Sequence, residues 1–425
     1  MFNQGGLSLE QAPPISVVLR FFVTASIFGL LLGFFSLSSD LNLISLTKYS
    51  FELIATHILA LGIMASFMLG AMFQMLPVIA GVVIKMPTKK AMVAHILLTI
   101  GIFLQIGAFK TSSSFLYLAT AIILGSGLLH TSTLMLKEVV KIKDHSSSSK
   151  GMLFALISFI LTIIFGIIML LILAGYIDGS FFSQIKEAHY SFALFGWVTL
   201  LIISISFQVV EMFYVTPKYP DVISKYLVLS IFILLILKTI MLFIGVNSNI
   251  ITAILALLFM VYSAITIYRL YKRRRPTSDA TVWFWRLGMG LLFITSSIIL
   301  INSSILNNSL KDISYITFIG FVLSIVFAMV YKIVPFLVWF HLSNQGYMEA
   351  PMMHDVIHPK KAKIHFYIHT ALLTLWIINA FFYIFILKII LDILLISSFG
   401  LLLYNLIYAI NKYRYTQSNF EPIKW

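Results

Sequence analysis

Two histidines lie inside long apolar stretches, where an ionisable side chain is costly unless it has a partner or a task. His57 and His189 each lie within about two turns of one end of their stretch, which predicts a shared depth in a membrane. Two neutral imidazoles on facing helices are the ligands of a bis-histidine haem. We therefore predict a cofactor site at His57 and His189. An interfacial position for His189 and a non-ligand role for His57 are the alternatives.

Four further histidines are predicted nearer the opposite membrane face. They are His95, His130, His365 and His369. His365 and His369 are spaced i,i+4, so both rings lie on one face of a helix. The pair could chelate a metal ion if other parts of the chain supplied the remaining ligands. The four residues are therefore candidate metal ligands. The alternative for the i,i+4 pair is that both rings are interfacial, beside Lys363 and Tyr367.

Three charged residues lie within or near the inner ends of apolar stretches. Glu211 and Lys332 occupy nearly equivalent positions in an internal repeat, and Lys238 lies within another stretch. One interpretation is a buried ion pair between Glu211 and Lys332, because pairing offsets the cost of desolvation. The other is a proton or ion path along Glu211, Lys332 and Lys238, with Asp392 as a further candidate.

Several kinds of chemistry are excluded by what the sequence lacks. The chain has no cysteine, so it has no disulfide, no thiolate metal site and no catalytic thiol. It also lacks a phosphate-binding glycine loop, a serine–histidine–aspartate order and a zinc-peptidase motif. We expect no ordinary hydrolase activity.

The composition identifies the environment of these residues. Of the 425 residues, 60% are apolar and only 10% are charged, and the mean hydropathy is +1.02. Soluble domains carry about 25% charged residues, so a soluble fold is excluded. The predicted fold class is all-α: a polytopic membrane protein whose first partner is the lipid bilayer.

Apolar runs of spanning length predict about twelve transmembrane helices. Their expected ranges are 15–37, 50–82, 90–109, 113–136, 151–176, 187–214, 223–246, 248–270, 281–302, 313–340, 363–386 and 389–411. The longest polar connection, about 341–362, is too short to fold alone. We therefore expect residues 1–425 to form a single integral membrane domain, whose first apolar run is retained as an anchor rather than cleaved as a signal.

The distribution of basic residues predicts the orientation. The even-numbered connections and the C-terminal segment hold twenty lysines and arginines, whereas the odd connections hold only Lys48, Lys110, Lys186, Lys311 and Lys388. Positive residues collect on the cytoplasmic side, so both termini are predicted to be cytoplasmic. The net charge of +14 then reflects inner-face anchors such as Arg273–Arg275, and no nucleic-acid partner is expected.

An internal repeat relates predicted helices 2, 6 and 10. The stretch around Gly62 and Pro77 aligns at constant offset with that around Gly320 and Pro335, and Gly196 falls in the same register. Helices four apart run in the same direction, which predicts three four-helix repeats in a pseudo-threefold bundle. Chance alignment of the glycines and prolines common in membrane helices is the alternative. The expected repeat units, apart from helix 1, are roughly 38–176, 177–302 and 303–425.

These motifs resemble a known group. The segments PPISVVLRFF (13–22), HILALG (57–62) and QMLP (74–77) resemble bacterial membrane proteins that look like relatives of haem–copper oxidase subunit I and of the NnrS family. The resemblance covers most of the chain as architecture but only short stretches as motif. It implies a bacterial inner-membrane location and the same three-unit bundle.

The resemblance also implies ligands and cofactors. His57 matches the helix 2 histidine that ligates low-spin haem in such oxidases, and His189 falls on the helix that supplies a copper ligand, so haem b and copper are the candidate cofactors. Predicted helix 10 departs from the pattern, because Tyr315 and Thr317 lie near its outer end and no histidine precedes His341. Predicted helix 7 has no histidine either. A complete oxygen-reducing haem–copper centre is therefore not expected.

Two functions follow from these expectations. The first is a haem- or metal-binding protein with an electron-transfer, nitric-oxide-related or metal-homeostasis role, served by a membrane or periplasmic redox partner. The second is a secondary transporter that uses buried histidine, glutamate and lysine side chains to bind substrate or protons. The sequence leaves the oligomeric state open, and an absorption spectrum of the purified protein separates the two functions.

Overall fold

The computed structural model describes residues 11–38, 50–275, 279–305 and 310–423. All regular structure in these ranges is helical, and twelve of the helices are long and apolar enough to cross a membrane. The predicted all-α, multi-pass class is confirmed. The helices are α1 (Ile15–Leu37), α2 (50–80), α3 (Pro87–Thr111), α4 (Ser114–Val139), α5 (Ser147–Leu173), α6 (Phe182–Tyr214), α7 (Asp221–Phe243), α8 (Asn249–Tyr271), α9 (Ala280–Ile305), α10 (Lys311–Asn344), α11 (Pro359–Phe382) and α12 (Phe385–Asn419).

Local sequence explains where several helices begin. The Ser146 hydroxyl accepts a hydrogen bond of 3.1 Å from the Ser149 N–H and so caps α5. At α11, Pro359 occupies the first helical position, and Nδ1 of His358 accepts a hydrogen bond of 3.2 Å from the Lys360 N–H. These short polar signals end the connections at the membrane face and start the next apolar run.

Three helices contain a π-helical segment. In α2 it spans Ile58–Ala65, in α4 Ala121–Gly125 and in α6 Phe192–Val198. The segments of α2 and α6 each begin four residues before the glycine that the sequence repeat aligns, Gly62 or Gly196. The repeat register thus coincides with a shared irregularity in two of its three members, whereas α10 is α-helical throughout. Insertions of this kind are frequent near functional sites.

The described residues divide into two compact units. Unit 1 holds 11–12, 72–275, 289–305 and 310–318, and unit 2 holds 13–38, 50–71, 279–288 and 319–423. The prediction of a single domain with three sequential repeat units remains a prediction. Parts of its three units, 39–49, 276–278, 306–309 and 424–425, lie outside the described residues.

In unit 2, α1 packs closely on α12 through two glycines. A Cβ on Gly33 would lie 2.6 Å from Cγ1 of Ile396, and one on Gly29 would overlap the ring of Phe399. The two glycines are four residues apart, the GxxxG spacing that lets membrane helices approach closely. This approach fixes which α12 side chains face α1.

Unit 1 uses small residues in the same way. A Cβ on Gly101 of α3 would lie 2.6 Å from Cβ of Leu124 on α4, and one on Gly196 of α6 would lie 2.7 Å from Cβ of Ser158 on α5. Without a hydrophobic driving force between helices in lipid, close backbone approach supplies the packing energy.

The predicted start of the last helix is wrong. The sequence places Lys388 in an outer connection, but α12 begins at Phe385, and Lys388 is buried within its second turn. A charge in an apolar run resembles a loop, and only its partner shows that it belongs to the helix.

Candidate functional site

A buried histidine bridges two hydroxyl groups in unit 2. On α11, Nδ1 of His365 lies 2.9 Å from the hydroxyl oxygen of Tyr331 on α10, and Nε2 lies 2.7 Å from Oγ of Ser398 on α12. His365 and Ser398 are completely buried. Three helices thus meet at one imidazole whose two nitrogens both have hydrogen-bond partners.

A fourth side chain orients this chain of hydrogen bonds. The amide Nδ2 of Asn405 donates to the Tyr331 oxygen over 3.1 Å. Tyr331 therefore accepts from Asn405, which favours donation of its own hydroxyl proton to His365 Nδ1. The neutral ring then carries its proton on Nε2 and donates to Ser398. The order of donation is Asn405, Tyr331, His365, Ser398, and we call these four residues the relay.

The relay is enclosed by aromatic rings. The Phe327 ring centroid lies 4.5 Å from that of His365, and the Phe284 centroid lies 5.7 Å from it. Both phenylalanines are fully buried. In such an apolar shell each hydrogen bond is electrostatically stronger than in water, and an unmade one is costly.

The second histidine of the i,i+4 pair has a separate partner. Nε2 of His369 lies 2.9 Å from Oγ of Ser324 on α10, and the His369 ring is completely buried. The Phe327 ring lies against both imidazoles, 5.1 Å from that of His369. Both imidazoles contact the Phe327 ring, as the shared helix face predicted from spacing requires, and neither ring is exposed. Their depth in the membrane stays a prediction.

A metal role for the four inner histidines stays a prediction. His365 and His369 lie in unit 2, whereas His95 and His130 lie in unit 1. His130 is exposed on α4, and both nitrogens of His365 are occupied by hydroxyl partners. Within the described ranges, no group of three or more histidine, aspartate or glutamate side chains is arranged to hold a metal ion.

A second buried polar group in unit 2 joins α12 to α1. Nζ of Lys388 lies 3.0 Å from Oδ2 of Asp392, and the Ser36 hydroxyl donates to Oδ1 over 2.7 Å. Lys388 also donates to the backbone oxygen of Ser36. Asp392 is completely buried. The carboxylate weighed as a proton carrier from sequence thus lies in an ion pair with a lysine on its own helix.

Lys332 pairs with Asp279, which directly precedes α9, over 2.5 Å. Burial alone would raise the pKa of Asp279, but the Lys332 ammonium and the hydrogen bonds from Lys332, Thr281 and Val282 outweigh burial and lower that pKa below its usual value. The side chain of Asp279 remains 42% exposed. This pair holds the start of α9 against α10. The ion pair predicted between Lys332 and Glu211 stays a prediction.

The other two members of the predicted path lie in unit 1. Lys238 on α7 is buried and pairs with Glu187 on α6 over 2.5 Å. Glu211 accepts a 2.8 Å hydrogen bond from the backbone N–H of Tyr219. Lys238 therefore joins α7 to α6, Glu211 holds the connection after α6, and Lys332 holds the start of α9. A path that joins the three residues is still a prediction.

His57 and His189 share one local geometry. Nδ1 of His57 lies 2.8 Å from the backbone oxygen of Leu53, and Nδ1 of His189 lies 2.9 Å from that of Thr162 on α5. A carbonyl oxygen only accepts, so Nδ1 carries the proton in both rings and Nε2 is the acceptor nitrogen. Both rings are half-buried, His57 in unit 2 and His189 in unit 1.

Sequence reasoning missed Tyr331, Ser398 and Asn405. Uncharged polar residues are common in membrane helices, and their partners here are 33 to 74 residues away along the chain. A signal was present in α12, where Ser398 and Asn405 share a face with buried Leu402. That face would have been recognised by its spacing of three and four residues.

Comparisons with known proteins do not assign the chain to a family. No family model matches the chain, and no curated protein matches it significantly. The resemblance to haem–copper oxidase subunit I and the NnrS family therefore stays a proposal, and the case for function depends on the side-chain geometry.

Proposed function

We propose that this protein moves protons in the membrane as a proton-coupled secondary transporter, with His365 as the proton-binding group. The observation that supports this most is the completely buried imidazole held between the hydroxyls of Tyr331 and Ser398. Buried ionisable residues in membrane helices mark proton relays and substrate pathways.

Hydroxyl partners suit both protonation states of the ring. Neutral His365 accepts from Tyr331 and donates to Ser398, as Asn405 favours. When the ring takes up a proton, both nitrogens donate, and each hydroxyl can rotate to accept. At Nδ1, which gains the proton, a carbonyl would suit only the charged ring and an ammonium only the neutral ring. The ring can therefore gain a proton on one side and release one on the other.

The relay groups on α12 extend along one face of that helix. Ser398 and Asn405 are seven residues apart, which at 1.5 Å per residue is about 10 Å along the helix. The hydrocarbon core is about 30 Å thick. The relay groups on α12 thus cover a length of about one third of that thickness.

A flux measurement tests the proposal. The purified protein is reconstituted into vesicles that contain a pH-sensitive dye, and a potassium diffusion potential is imposed. We expect the interior to acidify faster than in protein-free vesicles, and the rate to scale with the amount of protein. Equal rates with and without protein would contradict the proposal.

A second candidate is a haem- or metal-binding protein with an electron-transfer, nitric-oxide-related or metal-homeostasis role. It is favoured by the shared tautomer of His57 and His189, because an Nδ1–H bonded to a backbone carbonyl is how metal-ligating histidines are commonly oriented. Either residue would hold the group through its Nε2, and the group would supply one-electron chemistry. A single imidazole nitrogen fits a haem or a metal as one ligand. A haem–copper pair does not fit, since Tyr315 and Thr317 occupy the helix 10 positions.

An absorption spectrum tests this candidate independently of proton flux. Purified protein should show a Soret band, or gain one when haem is supplied, and His57→Ala should remove the low-spin features. His354→Ala, at an exposed position between α10 and α11, is the control that should leave the spectrum unchanged. Protein that never acquires the band would contradict the haem role and leave the proton proposal standing.

A further inference from the structure

We propose that Asp392 and Ser36 form a site for a monovalent cation, and that the ammonium group of Lys388 fills it as a tethered cation. Nζ of Lys388 lies 3.0 Å from Oδ2 of Asp392 and donates to the backbone oxygen of Ser36. The Ser36 hydroxyl holds the other carboxylate oxygen at 2.7 Å. This inference goes beyond the proton relay, none of whose residues it uses.

The ammonium contacts a carboxylate oxygen of Asp392 and the backbone oxygen of Ser36. Both are of the ligand type that hard cations such as sodium and potassium prefer. Ser36 lies in the last turn of α1. The C-terminal end of a helix also carries partial negative charge. Carboxylate and helix end therefore both attract a cation.

Close helix packing builds the site. Gly33 lies about one turn before Ser36, and Ile396 about one turn after Asp392. A Cβ on Gly33 would lie 2.6 Å from Cγ1 of Ile396, so only glycine permits this approach. One turn farther along, the same approach brings the end of α1 against Asp392.

Burial requires that the charge of Asp392 be neutralised. Asp392 is completely buried, and a buried carboxylate without a counter-charge is strongly destabilising. One positive charge neutralises it, whether tethered or free. Lys332 and Asp279 form the contrasting pair, since the Asp279 side chain is 42% exposed. Water solvates that carboxylate, and its neutralisation by a bound ion is not required.

The test removes the tethered cation and supplies a free one. Lys388→Ala is purified in sodium chloride, potassium chloride or choline chloride at equal ionic strength, and its unfolding temperature is followed as the cation concentration rises. We expect the temperature to rise with the logarithm of sodium or potassium concentration and to stay flat in choline, as binding to the native state requires. Wild-type protein and Lys332→Ala, the matched control, should show no such dependence.

A second variant identifies the ligand. In Lys388→Ala/Asp392→Asn the buried charge is absent, so the cation dependence should disappear. A flat response of Lys388→Ala, an equal response in the wild type, or a response that survives in the double variant would each overturn the proposal. Failure of Lys388→Ala to fold in any of the three salts would also overturn it, because a free cation would then not replace the ammonium.

Discussion

The hydroxyl oxygen of Tyr331 lies 2.9 Å from Nδ1 of His365, which links α10 to α11 inside unit 2. The same oxygen accepts from Asn405 on α12. Tyr331 thus sets the tautomer of His365, and with it the direction in which the relay donates.

Removing the Tyr331 hydroxyl should destabilise the protein. Tyr331→Phe leaves two buried groups, His365 Nδ1 and Asn405 Nδ2, without their observed partner, at a cost of about 1–3 kcal/mol in the free energy of unfolding. Denaturation of the purified protein in detergent measures this. Tyr404→Phe is the control, because Tyr404 is 55% exposed and its ring contact with Lys361 does not need the hydroxyl. Equal stability of both variants would contradict the relay's hydrogen bonding.

Gly29 should not tolerate a side chain. Gly29→Ala places a methyl group against the Phe399 ring, and such overpacking costs about 1–3 kcal/mol in stability. Gly400→Ala is the matched control on the facing helix, where the new Cβ would lie 3.7 Å from Leu30 in ordinary contact. Thermal unfolding of the two variants should separate them. A tolerant Gly29 would show that α1 and α12 do not approach as described.

Replacing the buried Asp392 should lower stability far more than replacing Asp279, whose side chain is 42% exposed. Asp392→Asn leaves a buried ammonium without its counter-charge, which is expected to cost about 3–5 kcal/mol. A second change at Lys388, to give Lys388→Met/Asp392→Asn, should recover most of the loss. Unfolding measurements on the single and double variants test this as a cycle. A double variant no more stable than the single would argue against a paired role.

The pair of Asp279 and Lys332 should make stability depend on acid pH. The pKa of Asp279 is lowered in the folded protein, so the pair stabilises fully above the unfolded value of about 3.9. That stabilisation is lost as the pH falls through the lowered folded pKa. The difference in unfolding temperature between wild type and Asp279→Asn should therefore shrink as the pH falls from 7 to 3. A difference that stays constant would contradict the pairing.

Length and hydropathy were sufficient to predict the helices. Each of the twelve predicted spans overlaps an observed helix, because a membrane permits few ways of satisfying backbone hydrogen bonds. The ends of the helices were less predictable. α12 extends to Asn419, well beyond the expected end at 411, because hydropathy detects the apolar part of a helix and not its polar continuation.

The candidate site was only half predictable. The i,i+4 spacing showed that His365 and His369 share a face, which is a local property of one helix. The partners of His365 come from α10 and α12, and no local pattern links Tyr331 to Ser398. Lys388 could have been recognised from Asp392 four residues later, a spacing at which opposite charges pair on a helix.

Proton entry into vesicles that hold His365→Gln tests the central claim most directly. Glutamine can keep hydrogen bonds to Tyr331 and Ser398, but it cannot carry a proton at any accessible pH. Under an imposed potential, this variant should acidify the interior no faster than protein-free vesicles, while His130→Gln, at an exposed position on α4, should match the wild type. Wild-type flux through a folded His365→Gln protein would contradict the assignment of His365 as the proton carrier.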